Sequence, residues 1–205
     1  MPSPLRRALR LLLSALVPAI AACHPAPPAE HAAVAVHDDD ACAVCGMYLG
    51  DAAGPRAQAF LRGEDRPHVF DSTRDFFAWT TQPEHAARLG ALYVQDVARI
   101  DWRHPDGAAA SFIPARDAWY VAWQSRHGAM GPTFAPFATR PAAEAFRARY
   151  GGAILRHAEI DAALVATLSD RCPPATAGQS SCLAPAPTPA DEPPATTPAL
   201  SPHAH

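Results

Sequence analysis

From residue 56 to residue 168, short apolar runs alternate with Gly, Pro, Asp and Ser. Residues 56–62 and 67–70 predict a hairpin around Gly63-Glu64-Asp65. Asp71 or Ser72 then caps a helix carrying Phe76, Phe77 and Trp79, and Asp75, three residues after Ser72, completes a capping-box pattern. Residues 83–89 add a helical turn before Gly90, and residues 91–97 read as a strand. A second cycle follows, with strands at 111–113, 118–123 and 133–137. Residues 141–150 form a helix with Pro141 near its start and Gly151 past its end. A short strand at 153–155 and a helix at 159–168 close the pattern.

The two cycles share a junction. Phe70 precedes Thr73-Arg74 and a helix; Phe137 precedes Thr139-Arg140 and a helix. A duplicated strand-strand-helix-strand unit explains this, and the mixture predicts an α+β fold rather than a doubly wound sheet. Trp79, Trp102, Trp119, Tyr120 and Trp123 are expected in the core and its edges.

Composition bounds the domain. Residues 1–22 read as a signal peptide, with Arg6, Arg7 and Arg10 ahead of an apolar run from Leu11 to Ile20 that is too short to span a bilayer. Ile20-Ala21-Ala22-Cys23 is similar to the lipobox of bacterial lipoproteins, which makes Cys23 the expected lipidation site and the new N-terminus. His24 stands where an aspartate would resemble an inner-membrane retention signal, so the outer membrane is favoured. Residues 23–40 are Pro- and Ala-rich and end Asp38-Asp39-Asp40; residues 169–205 are rich in Pro, Ala, Ser and Thr. Neither stretch carries enough apolar surface to offset its ordering entropy. They are expected to be a flexible tether and a disordered tail around one folded domain, residues 41–168. Without the three leader arginines, 14 basic residues face 20 acids, a net charge of −6 with histidine neutral. No basic patch invites nucleic acid.

The chemistry concentrates in sulfur. Cys42-Ala43-Val44-Cys45-Gly46-Met47 places two thiols and a thioether within six residues, and Met130 sits in Gly128-Ala129-Met130-Gly131-Pro132. Methionine normally fills core gaps, yet neither Met47 nor Met130 lies in an apolar stripe. Thiolate and thioether ligands select Cu(I). In an extended segment Cys45 and Met47 point to one face, Cys42 joins them or stands aside, and Met130 brings a third sulfur from the other half. Other readings stay open. Four cysteines remain beside Cys23, so Cys42 with Cys45 and Cys172 with Cys182 form plausible disulfides in an oxidising compartment. Cys42 and Cys45 also match the spacing of a redox dithiol, although the βαβ context is missing. A c-type haem needs histidine where Gly46 stands, and a structural zinc site needs two further ligands.

The ten histidines are scattered. His24, His31, His37, His203 and His205 fall in the terminal stretches, and His68 and His127 lie nearer the sulfur motifs. No catalytic constellation stands out: Ser72, Ser111 and Ser125 lack a nucleophile elbow. Asp71, Asp75, Asp96, Asp101 and Asp117 lie at element ends, where capping accounts for them.

Taken in order, the lipobox cysteine, Cys-x-x-Cys-Gly-Met, Phe70-Asp71-Ser72, Tyr93-Val94-Gln95-Asp96, Ala118-Trp119-Tyr120-Val121, Gly128-Ala129-Met130-Gly131 and Pro136-Phe137-Ala138 resemble the NosL family. That family comprises copper-binding accessory lipoproteins of nitrous oxide reductase. The resemblance covers about residues 41–168 and leaves the tail unexplained. It implies a pair of ββαβ-like units and a periplasm-facing Cu(I) metallochaperone rather than an enzyme. It also implies ligands at Cys45, Met47 and Met130, with Cys42 and a histidine as further candidates. The partners implied are nitrous oxide reductase and its membrane ABC-type maturation complex. A membrane-tethered thiol-disulfide oxidoreductase using Cys42 and Cys45, and a structural lipoprotein with paired cysteines, are the alternatives.

Overall fold

The computed structural model describes residues 31–170. The leader with Cys23 and the tail segment carrying Cys172 and Cys182 lie outside the described residues.

The expected hairpin forms: β1 (Ala57–Leu61) pairs antiparallel with β2 (His68–Phe70), with Ala57 opposite Phe70. The chain then enters α1 (Thr73–Thr80) and the single turn α2 (Pro83–Ala86). It returns as β3 (Leu89–Gln95) on the other edge of β1. With β4 (Phe112–Pro114) this gives a four-stranded antiparallel sheet in the order β2-β1-β3-β4. The third strand starts earlier than its apolar run and passes through Gly90. A Cβ at that position would stand 3.1 Å from the Phe60 carbonyl oxygen, so a larger residue would push β1 back by a few tenths of an ångström and glycine lets it approach closely.

The second cycle builds around β5 (Trp119–Ala122). It pairs with β8 (Ala135–Phe137) on one side and β9 (Ala153–Arg156) on the other, with α3 (Arg140–Tyr150) between those two strands in sequence. A small ribbon of β6 (His127–Gly128) and β7 (Gly131–Pro132) projects between β5 and β8 in the chain. The duplicated junction is real. Ser72 Oγ accepts from the Asp75 amide at 3.1 Å to start α1, and Thr139 Oγ1 accepts from the Ala142 amide at 3.4 Å to start α3. The closing helix is shorter than its pattern. Ile160 and Asp161 are extended, a 3₁₀ turn (His157–Glu159) precedes them, and the Asp161 carboxylate recaps only α4 (Ala162–Ala166).

Period-two alternation distributes the core. In β5, Trp119 and Val121 face α3, while Tyr120 and Ala122 face the larger core around Phe76 and Phe77 of α1. In β1, Ala57, Ala59 and Leu61 enter that same core. The opposite face of β1 carries Gln58 and Phe60, both buried. They are covered by residues 31–36, part of the stretch that composition assigns to a tether. The Gln58 amide accepts from the Val34 N–H and donates to the Val34 carbonyl, and the His31 ring stacks on Phe60 at 4.8 Å. The Val36 N–H donates to the Gly107 carbonyl at 2.9 Å. A buried polar side chain in mid-strand requires hydrogen-bond partners, and the backbone of this strap supplies them.

Candidate metal centre

The segment from Cys42 to Met47 is a tight turn rather than an extended strand. Ala41 and Tyr48 form an antiparallel bridge at its feet. The Cys42 N–H donates to the Met47 carbonyl and the Gly46 N–H to the Cys42 carbonyl, each at 2.9 Å. Gly46 takes φ +72°, the left-handed conformation that closes the turn. The expectation that Cys45 and Met47 share one face of a strand therefore gives way. The turn instead folds Cys45 back onto Cys42.

The hairpin is docked on the sheet. The Ala43 N–H donates to the Val69 carbonyl of β2 at 2.8 Å, which sets the cysteines beside the residues that leave β2 for α1. Ligand atoms of Cys42, Cys45, Asp71 and Asp75 all lie within 4.8 Å of one another. Cys45 Sγ donates to Asp71 Oδ2 at 3.2 Å. Cys42 is 3% exposed and packs with Val36, Leu49 and Phe112. Both cysteines are free thiols.

Electrostatics keep the Cys45 thiol protonated. Burial pushes the Cys45 thiol up to about 12, and its hydrogen bonds to Asp71 and Cys42 and the Asp71 charge add to the rise; the Met47 backbone partly opposes it. Burial also raises the Asp75 carboxyl, followed by repulsion from Asp71, against the pull of Arg74. Asp71 itself is fully buried, and its Oδ1 has no hydrogen-bond partner.

These two aspartates are what the sequence reading missed. Capping does account for Asp96, which accepts from the Ala98 amide, and for Asp101, which accepts from the Arg103 amide. At α1, however, Ser72 does the capping and Asp75 turns its carboxylate to the cysteines. The available signal was a pair of acids bracketing the Ser72 cap, more than one helix start needs; Asp71 precedes the helix, so helical spacing alone does not bring the two carboxylates together.

The methionines are half-exposed, Met47 at 48% and Met130 at 45%. Met130 occupies the two-residue loop between β6 and β7, where Gly131 takes φ +96°. Arg74 Nη1 donates to the Met130 carbonyl at 3.1 Å. Thr73 Oγ1 and Thr133 Oγ1 meet at 2.9 Å, and Trp102 Nε1 holds the His127 carbonyl at 2.8 Å. The hairpin thus attaches through Asp71 to the residues that enter α1, and the ribbon attaches to the first turn of α1 through Arg74, with Thr133 just after the ribbon bonded to Thr73. Among the described residues no histidine joins the thiol–carboxylate cluster. His68 is engaged with Glu64 at 3.0 Å, and His127 is exposed. The structure brings together the buried Cys42 thiol, the partly exposed Cys45 thiol and the carboxylates of Asp71 and Asp75. Met47 and Met130 stand exposed on the hairpin and the ribbon tip, and soft sulfur of this kind suits a monovalent copper ion.

Comparison with known proteins follows the same residues. The NosL family model matches residues 33–165. The copper-binding lipoprotein NosL of Stutzerimonas stutzeri is 42% identical over 133 residues, covering 64% of this chain and 67% of that protein. That of Achromobacter cycloclastes is 39% identical over 127 residues, covering 60% and 64%. The crystal structure of the copper chaperone NosL from Shewanella denitrificans aligns with a TM-score of 0.59 at 34% identity, covering 67% of this chain and 99% of that one.

Proposed function

The chain belongs to the NosL family, and on that premise we propose that it is a lipid-anchored Cu(I) chaperone of the cell envelope. Cys23 carries the lipid, the domain faces the periplasm, and the anchor sits in the outer membrane. Copper is cargo, and the protein catalyses no reaction of its own. The cargo is delivered to the membrane ABC-type maturation complex and to the copper centres of nitrous oxide reductase.

One observation carries the reading: the two distant segments that bear the soft sulfur, the Cys42–Met47 hairpin and the Met130 ribbon, are both fastened at the start of α1, the hairpin through Asp71 just before the helix and the ribbon backbone through Arg74. We assign Cys45, Met47 and Met130 as copper ligands, with Cys42 in reach of the same ion. Half-exposed thioethers suit a carrier, because a partner's sulfur can replace them one at a time. Asp71 holds the Cys45 proton in the metal-free state. When Cu(I) binds, the Cu–S bond forms, the S–H bond breaks and the proton leaves to solvent.

The adjacent pair of free thiols also supports the oxidoreductase alternative. Catalytic dithiols, however, need an accessible thiolate of lowered pKa. Cys45 is pushed up to about 12 and Cys42 is buried. Anaerobic titration with Cu(I) against a chelator separates the readings. The chaperone binds one ion per chain with chelator-competitive affinity, and absence of such binding removes the proposal. Delivery is tested by the copper content of nitrous oxide reductase in cells lacking this chain, which is expected to fall.

A further inference from the structure

Five large hydrophobic side chains are exposed among the described residues: Val34, Val44, Met47, Tyr48 and Met130. Scattered singly, such side chains carry no message. Here four of the five belong to the copper hairpin and the tip of the ribbon that shares its helix end. Beside them the surface is acidic. Residues 38–50 contain three aspartates and no lysine or arginine. Asp38 and Asp39 line an open depression of about 610 Å³ together with Tyr48 and Gly50.

The depression is rigidly joined to the hairpin. The Leu49 N–H donates to the Asp40 carbonyl and the Gly50 N–H to the Asp38 carbonyl, each at 3.0 Å. Arg56 Nη2 holds the Leu49 carbonyl at 2.9 Å from below. The same Nη2 touches Asp38 Oδ1 at only 3.3 Å, and the Asp38 side chain is 82% exposed, so its carboxylate remains open to a second cation.

Resting on the chaperone reading, we infer that this face docks a protein partner of defined chemistry. The partner presents an apolar, sulfur-bearing surface over Val44, Met47 and Met130, and a lysine or arginine that enters the depression between Asp38, Asp39 and Tyr48. Soft sulfur is needed because only such a ligand competes for Cu(I). The basic side chain is needed because the aspartates repel an acidic surface and steer a basic one. The same charges disfavour an anionic bilayer as occupant. They also disfavour a second copy of this chain, whose copper face carries the same aspartates and would meet like charge.

The test uses the full mature chain bearing Cys23→Ser, and two synthetic peptides that share a pair of methionines. One peptide is flanked by lysines, the other by glutamates. Cu(I) transfer from the loaded chain is expected to be at least about tenfold faster to the lysine-flanked peptide at low salt. That advantage shrinks at high ionic strength, where the Debye length becomes short. In parallel, peptide binding to the copper-free chain is followed by chemical-shift changes at Val44 and Tyr48. An Asp38→Asn, Asp39→Asn double variant should keep its Cu(I) affinity in chelator competition and lose the lysine preference. Asp39→Asn alone serves as a second variant that leaves the Asp38–Arg56 contact in place, and it should reduce the preference. Equal transfer to both peptides, a preference that survives in both variants, or copper-dependent dimerisation through this face in light scattering would each overturn the inference. If the chain bound no Cu(I), the chaperone reading would fall, while peptide binding to the copper-free chain would still decide the surface.

Discussion

Replacing Asp71 with asparagine should tighten copper binding, not weaken it. Asp71 is fully buried, accepts the Cys45 thiol at 3.2 Å, and its charge helps hold that thiol at about 12. At neutral pH Cys45 is therefore protonated, and copper must displace the proton. Apparent affinity then rises about tenfold per pH unit for each proton displaced, at every pH below the thiol's own pKa. Asp71→Asn removes the charge and the carboxylate acceptor at nearly constant volume. A hydrogen bond to a charged group is worth about 1.5–3 kcal/mol, which corresponds to about one to two pK units. The Cys45 thiol should fall by that amount and remain high, because burial, the largest cause of the rise, persists. Apparent Cu(I) affinity at fixed neutral pH should then rise about ten- to a hundredfold. Chelator competition across pH 6 to 9 measures the affinity, and thiolate ultraviolet absorbance follows the pKa directly. A weaker site in Asp71→Asn would mean that the carboxylate itself helps hold the metal. An unchanged affinity alongside a lowered thiol pKa would remove Cys45 from the ligand set.

Met130→Leu keeps the bulk but removes the thioether, and should cost at least about tenfold in Cu(I) affinity, the loss seen even for outer-shell groups; Met47→Leu should behave alike, and both should lower the copper content of nitrous oxide reductase. Cys42→Ser places a hydroxyl among Val36, Leu49 and Phe112 and should cost about 1–3 kcal/mol in urea unfolding. It should retain substantial Cu(I) binding and partial reductase maturation; normal maturation with both methionines replaced, together with failure on losing Cys42, would favour the oxidoreductase. Cys23→Ser removes the thiol expected to carry the lipid and should release the mature protein from membranes; a variant that still pellets after a salt wash would refute the lipid anchor.

Much of the fold was legible because it rests on local rules. The Phe70 and Phe137 junctions, their Ser72 and Thr139 caps, and the alternation of Trp119, Tyr120, Val121 and Ala122 all follow from neighbours in sequence. Where the reading slipped, a long-range contact decided. The start of β3 at Leu89 depends on β1 passing close to Gly90. The ordering of residues 31–36 depends on Gln58, a polar side chain that turns out to be buried in mid-strand and takes its partners from Val34.

The candidate site divides in the same way. By itself the sequence determined the sulfur inventory, because the identity of a ligand atom is a property of the residue: Cys42, Cys45, Met47 and Met130 read as soft donors wherever they lie. Only the tertiary structure decided how they meet. It turned Cys42–Met47 into a closed hairpin, docked it on Val69, and tied the distant Met130 ribbon to Arg74. It also converted Asp71 and Asp75 from apparent helix caps into the buried carboxylates behind Cys45. A carboxylate at a helix start looks the same in sequence whether it caps an amide or faces a thiol. Burial and the charge beside it set its role, and both arise only when β2, α1 and the hairpin pack together.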